Sequence, residues 1–305
     1  MPAAEVRLSE DLVRRLVVAQ SGIRDAASLP LSMAASGWDC ELWRLGPDLA
    51  VRLPRRALAA PLVVNEQWAL PRIGPLVEAT GIRVPVPLVA GRPVPSYPWP
   101  WSIVPWFEGV AGLDVPRPDR SPWAVPLAGA LHALHVEAPP DAPLNPVRGV
   151  PLADRAAIVG ERLALLRGRH PGGLLDVAAT AWRRGLAAAP WSRPPVWIHG
   201  DLHPGNLVAR DGTLVAIVDF GDVTSGDPAY DLAVAWIAFD ADGRELFARA
   251  AGADAATWIR ARAWAAAFAV LLLAHSDDNP GYAQLGFETL EEIRGDQASS
   301  VARTT

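Results

Sequence analysis

The chain has 305 residues, half of them hydrophobic, with a formal net charge of −5 and one cysteine, Cys40. That is enough for one large domain or two lobes with sizeable cores, and too apolar for a disordered chain. All 28 basic residues are arginine, which excludes a Walker-type phosphate loop and Schiff-base catalysis, both of which need a lysine. A lone cysteine excludes an internal disulfide framework and suits a reducing compartment, and the acidic balance without a basic stripe argues against nucleic-acid binding.

In chain order, the opening stretch MPAAEVRLSEDLVRRL is acidic and amphipathic with no apolar signal core, so the expected location is the cytoplasm. From Met33 to about Trp106 the pattern is strand-like. DCELWRLG and LAVRLPR flank Gly46-Pro47-Asp48, the mark of a hairpin, and a helix is predicted at LVVNEQWALPRI. RVPVPLVAG and WPWSIVPWFEG read as two further strands whose prolines place them at edges or strand ends. After Gly109 apolar residues recur at three and four, predicting helices at WAVPLAGALHALHVEA, LADRAAIVGERLALLRG and LLDVAATAWRRGLAAA. His132 and His135 fall on the first of these and read as core residues. The loop EAPPDAPLNPVRG is kept out of helix by its prolines. VWIHGD and LVAIVDFGD are short strands inside this helical region, and helices resume from GDPAYDLAVAWIAF to about residue 294. The longest apolar run, Ala263–Ala274, has twelve residues and reads as a buried helix rather than a membrane span.

Charge is uneven. Residues 1–198 carry 21 Arg and 17 acids, a net of +4; residues 199–305 carry 7 Arg and 16 acids, a net of −9. An anionic ligand on the front half and a cation on the back half would suit that split, and so would solvated acidic helix faces.

The densest chemistry lies between Val196 and Asp222. Two strand-to-loop corners each deliver an aspartate, Asp201 and Asp219, with Asn206 in the loop between them. Asn206 and Asp219 are oxygen donors that suit Mg²⁺, which keeps waters and takes few protein ligands. Asp201 is then free to accept a proton from an attacking hydroxyl, the division of labour of phosphoryl transfer. The same stretch supports a rival, a metal-dependent hydrolase built on the His199, Asp201 and His203 cluster, which leaves Asn206 and DFGD without work.

HGDLHPGN, DFGD and GDPAYDLA together resemble the signature of the aminoglycoside phosphotransferase family, which shares the protein-kinase-like fold, and the resemblance extends from about Leu29 to Ile293. It implies an α+β, two-lobed fold: a small antiparallel-sheet N-lobe at residues 1–107 and a mainly helical C-lobe at 108–305. It also implies an ATP- or GTP-dependent kinase acting, with Mg²⁺, on a hydroxyl of a small molecule. Arg52 then stands where such folds place a lysine on the α/β-phosphates, with Glu66 as its helix partner. Ser36 and Gly37 would lie near the phosphates. The carbonyl of Val104 and the N–H of Trp106 would meet the base on either side of Pro105, which has no N–H. Asp227 and Asp231 are assigned structural support, Asp231 by reaching back to the backbone near His199.

Only eight positions separate Asp219 from Asp227, too few for the activation segment that presents a peptide, so a small acceptor is expected. Asp222, Asp277, Asp278 and Glu108 are the candidate acidic wall for an aminoglycoside; the 13 tryptophans offer an apolar alternative for a macrolide, with a peptide antibiotic or metabolite as other acceptors. No membrane or nucleic-acid partner is expected, and the oligomeric state is left open. A second rival is a kinase fold that binds nucleotide without turnover, marked by the arginine at position 52.

Overall fold

In the computed structural model, which describes residues 3–169, 173–276 and 279–302, helix α1 (Glu10–Gln20) leads into an antiparallel sheet of five strands. These are β1 (Leu31–Ser36), β2 (Cys40–Leu45), β3 (Leu49–Pro54), β4 (Val89–Gly91) and β5 (Trp101–Pro105), in the order β1-β2-β3-β5-β4. The β2–β3 hairpin closes on Gly46, which takes φ +62°, a conformation that glycine adopts without a Cβ penalty. Along β3 the side chains alternate, so Ala50, Val51 and Leu53 are buried while Arg52 faces the opposite way to Val51 and Leu53. One face of the sheet packs under α1 through Leu12, Val13, Leu16, Trp43, Val51, Leu53 and Trp101.

Helix α2 (Ala60–Glu78) crosses between this sheet and the rest of the chain. It is longer than its sequence predicts because it runs through Pro71 and Pro75, each of which removes a helical hydrogen bond. Burial of Val63, Ala69, Leu70, Ile73 and Val77 offsets that loss. The expected strand at RVPVPLVAG is mostly absent. Its prolines leave only Arg83 bridged to the neighbouring strand at Ala216 and Val89–Gly91 paired at the sheet edge.

The remainder is helical: α3 (Ala124–Leu134), α4 (Ala156–Arg167), α5 (Leu174–Ala187), and, after the strands described next, α6 (Ala229–Leu232), α7 (Val234–Ala238), α8 (Ala241–Ala251), α9 (Ala255–His275) and α10 (Pro280–Ala302). At 21 residues α9 is long and apolar enough to cross a membrane by length and composition, yet it lies in the core, its Ala263, Ala265, Ala266, Ala269 and Val270 buried. His135 is partly buried at the end of α3, whereas His132 is exposed rather than core.

Two short sheets sit between the helices. β6 (Val110–Ala111), β8 (Leu207–Arg210) and β9 (Thr213–Ile217) form one, and β7 (Val196–Ile198) pairs with β10 (Thr224–Gly226) in the other. Asp211 and Gly212 both have positive φ at the β8–β9 turn, 52° and 76°, the conformation an Asp-Gly hairpin favours. These strands deliver the side chains of the two corners to one place. At Gly200 the backbone takes φ +85°, and a Cβ there would lie 2.3 Å from the carbonyl oxygen of Asp222. Gly129, on α3, has open space around the same position. Gly200→Ala is therefore expected to cost roughly 3 kcal/mol or more of unfolding free energy, and Gly129→Ala to be neutral or slightly stabilising; urea unfolding of the two variants beside the parent protein measures the contrast.

Candidate active site

The corner after β7 is held by a buried carboxylate. Asp231, fully enclosed at the start of α6, accepts from the backbone N–H of His199 at 2.7 Å and of Gly200 at 3.1 Å, with His135 Nε2 3.1 Å away. Hydrogen bonds to an ionised acceptor are the strong ones, and leaving any of these donors unmet in the interior would be costly. His199 is fixed in turn: Nε2 lies 2.9 Å from the Val218 carbonyl, so it carries the proton, and Nδ1 accepts from the Asp201 N–H at 3.2 Å. Both ring nitrogens are spent. His203 likewise accepts the Gly205 N–H through Nδ1 at 3.0 Å and lies with Nε2 3.6 Å from Asp201 Oδ2. Among the described residues no group of three His, Cys, Asp or Glu side chains could hold a metal ion, and the His199–Asp201–His203 cluster is not a zinc site.

Asp201 itself is less free than its sequence suggests. Arg148 approaches its Oδ1 at 3.0 Å and Asp222 Oδ2 at 3.3 Å, and donates to Tyr230 Oη at 2.9 Å. Burial opposes ionisation of Asp201, but Arg148 and His203 prevail and hold the carboxyl well below the usual range. Asp222 is claimed by the same loop: Asn145 Nδ2 donates to its Oδ1 at 2.7 Å, and the Asn145 N–H donates to Thr224 Oγ1 at 3.1 Å. Sequence reasoning missed Asn145, Arg148 and Tyr230. Asn145 and Arg148 are two of four polar side chains in a proline-rich loop, pinned where Gly149, at φ +65°, crosses Ile198 and Gly226.

At the second corner Asp219 adopts φ +60°, left-handed backbone that costs a non-glycine residue roughly 1–2 kcal/mol. The carboxylate it displays is half exposed, and its Oδ1 accepts from Arg52 Nη2 at 2.7 Å. Arg52 Nε donates to Glu66 Oε2 at 2.8 Å. Burial pushes the Glu66 carboxyl up to about 7, against the pull of Arg52; Asp219 and Glu66 keep the Arg52 guanidinium charged despite its burial. Asn206 donates through Nδ2 to the Asp201 carbonyl at 2.8 Å, and its own carbonyl accepts from Val218 N–H at 2.9 Å, tying the two corners together. That orientation leaves the side-chain oxygen of Asn206 and Oδ2 of Asp219 as oxygen donors. The pair fits a divalent cation such as Mg²⁺, which prefers oxygen and retains water.

Other expected residues fall differently. The Trp106 N–H is spent on the Asp48 carbonyl at 2.7 Å, because the β3–β5 pairing runs on by one residue; it is not available to a base, and by the same alternation Val104, opposite Ala50, turns its backbone groups toward β3. Ser36 ends β1 opposite Glu41 and Gly37 opens the β1–β2 turn, where the Gly37 N–H is taken by Cys40 O at 2.9 Å. Glu108 pairs with Arg44, which also covers the Trp106 ring at 4.9 Å. Asp277 and Asp278 lie outside the described residues. Asp227 caps α6 through Ala229 N–H at 3.0 Å and is bridged by Arg260 at 2.6 Å. The acidic wall is thus not found among the described residues: Asp222 is neutralised and Glu108 is engaged elsewhere.

The comparisons fit this geometry. The model of the phosphotransferase enzyme family matches residues 31–268. No curated protein matches the chain. Among solved structures, the GDP complex of an aminoglycoside 2'-phosphotransferase-IIIa aligns with TM-score 0.70 at 18% identity, covering 95% of this chain and 100% of that one. The GDP and kanamycin complex of APH(2")-IIia gives 0.69 at 19%, covering 93% and 99%. The apoenzyme of macrolide 2'-phosphotransferase MphH from Brachybacterium faecium gives 0.60 at 20%, covering 92% and 98%. At these identities the likeness establishes the kinase-like fold.

The raised pKa of Glu66 has a testable sign. The folded protein keeps this proton up to about pH 7, whereas an ordinary glutamate loses it near 4.5. The group's contribution to stability is therefore full below about 4.5 and lost as pH rises through 7. Relative to Glu66→Gln, the parent protein should lose stability between pH 5 and pH 8, by up to roughly 3 kcal/mol; denaturant melts of both proteins across that interval would show two parallel curves if burial does not govern this carboxyl.

Proposed function

Because the chain belongs to the phosphotransferase enzyme family, we propose that it transfers the terminal phosphoryl group of ATP or GTP to a hydroxyl of a small molecule, with Mg²⁺. The observation that carries this reading is the convergence of the two corners: Asn206 bonded to the Asp201 backbone and to Val218, with Asp219 next in the chain and locked to Arg52. The lobes at 1–107 and 108–305 divide the work, the sheet and Arg52 receiving the nucleotide and the helical part receiving the acceptor.

Arg52 holds the α- and β-phosphates with the donors that Glu66 and Asp219 leave unused. Asn206 and Asp219 would hold the cation, which supplies neutralising charge at the β- and γ-oxygens when bound. Asp201 accepts the hydrogen bond of the acceptor hydroxyl and orients its lone pair in line with the terminal phosphorus. The bond from that phosphorus to the diphosphate oxygen breaks, a bond to the acceptor oxygen forms, and the hydroxyl proton passes to Asp201. The products are a nucleoside diphosphate and a phosphate monoester. A carboxylate held so firmly ionised is a weak base, so the proton passes late, as suits a loose transition state.

Support for an alcohol acceptor comes from the family and from the aminoglycoside and macrolide phosphotransferases of the same fold. An aminoglycoside in particular finds less support, because Asp222 and Glu108, two of the acids expected to attract a polycation, are paired with arginines. The intact Asp201, Asn206 and Asp219 argue for turnover rather than nucleotide binding alone.

Nucleotide consumption with a panel of hydroxylated compounds, with and without Mg²⁺, tests the reading. Asp201→Asn is expected to leave Mg²⁺-dependent nucleotide affinity within about twofold and to lower turnover by about 10²–10⁴. Asp219→Ala is expected to weaken that affinity by at least about tenfold. Unchanged turnover in the first, or unchanged affinity in the second, would remove the assigned role.

A further inference from the structure

The cavity beside Asp201 has a chemistry that phosphoryl transfer by itself does not demand. It encloses about 280 Å³, at the lower edge of the roughly 300–1,000 Å³ typical of pockets for drug-sized molecules. Trp264 and Phe268 of α9 give it an apolar wall, and three arginines, Arg148, Arg155 and Arg162, line it as well. Among the described residues, Asp201 is the one carboxylate that lines it.

The three arginines are not alike. Arg148 is committed to Asp201, Asp222 and Tyr230. Arg155 and Arg162 make no ion pair and no side-chain hydrogen bond among the described residues, and Arg162 Nε is buried without any partner. Arg155 is the residue that caps the start of α4 and Arg162 lies seven positions on within it, so both reach the same cavity. Burial, together with the charges of Arg155 and Arg148, pushes the Arg162 guanidinium below its ordinary value, and Glu161 offsets this only in part. An arginine beside two others in a partly enclosed space is stabilised by an anion that takes several of its fixed donors at once, and a carboxylate or phosphate has the matching geometry.

Resting on the phosphotransfer reading, we propose that the acceptor is a small anionic alcohol with an apolar body: Arg155 and Arg162 grip its carboxylate or phosphate, Trp264 and Phe268 cover its skeleton, and its hydroxyl faces Asp201. A polycationic acceptor would add like charge to a cavity that already holds an excess of it. The cavity volume suits a single ring rather than several linked ones.

Calorimetry on the full chain tests this with four matched probes: 4-(hydroxymethyl)benzoate, 4-(hydroxymethyl)phenyl phosphate, methyl 4-(hydroxymethyl)benzoate and 4-(aminomethyl)benzyl alcohol. At least one of the two anions is expected to bind about tenfold or more tightly than the ester and the amine, and the stronger of them identifies the anionic group. Arg155→Gln combined with Arg162→Gln should abolish the preference, and Arg155→Lys combined with Arg162→Lys should retain it. Ester or amine binding as tight as the anions, no binding of either anion at millimolar concentration, or a preference that survives the Gln pair overturns the proposal. If the Gln pair does not fold, the comparison of anion with ester on the parent protein still decides. Mg²⁺-dependent nucleotide affinity is measured separately; its absence strikes the phosphotransfer reading, whereas loss of anion preference with nucleotide binding intact strikes this one alone.

Discussion

One guanidinium fastens the cleft. Arg52 reaches from β3 to Glu66 on α2 and to Asp219 at the second corner, at 2.8 and 2.7 Å. Three segments remote in sequence are thereby set in one frame. A buried cation is tolerated only when its donors are met, and breaking such a pair leaves an uncompensated charge. The planar fork explains how an arginine serves here. Nε and Nη2 point at the two carboxylates while Nη1 makes no hydrogen bond among the described residues, which an ammonium on a flexible stem would not organise in the same plane. Gly221 makes room for the arrangement, since a Cβ there would sit 3.4 Å from Arg52 Nη2 and 3.2 Å from Leu62.

Around this bridge the support is built from polar groups with no freedom left. Asp231 holds the amides of His199 and Gly200; His199 spans from Asp201 to Val218; Asn206 links the backbone of both corners. Each contact uses the second function of a group whose first is already occupied, so the tautomers and amide orientations are determined by the network. Asp201 emerges with its position fixed by the backbone and its charge fixed by Arg148 and His203. Alignment of this kind, prepared before any ligand arrives, is what a reaction with little covalent chemistry for the protein requires.

Much of this was legible in the chain. Period-two burial along LAVRLPR puts Arg52 on the face opposite to the core residues Val51 and Leu53, and the aspartates ending two short strands announced the corners. The second hairpin was also written in the sequence, as Asp211-Gly212 between apolar runs. Other features depend on contacts that no local pattern carries. That Trp106 gives its N–H to Asp48 follows from the β3–β5 register, and that α2 continues through two prolines follows from what it buries. Arg148 is the clearest case: it sits in a loop whose prolines say only that it is irregular, and its partners lie 53 and 74 positions away.

The charge split shows why summation over halves misleads. The surplus of arginine in residues 1–198 points to an anion held by the front half, which the sheet would supply to a nucleotide. Yet Arg148, Arg155 and Arg162 belong to that count and line the cavity beside Asp201. Four acids of the back half are no freer: Asp201 and Asp222 share Arg148, Asp227 holds Arg260, and Asp231 is consumed by backbone amides. Coulomb energies fall with distance and are screened within about 10 Å at ordinary ionic strength, so a ligand meets the local residue of unpaired charge rather than the total. In the cavity beside Asp201 that local charge is positive, carried by the guanidiniums of Arg155 and Arg162 at the start of α4 and within it, and it is this sign, not the acidity of the chain as a whole, that a molecule entering there encounters.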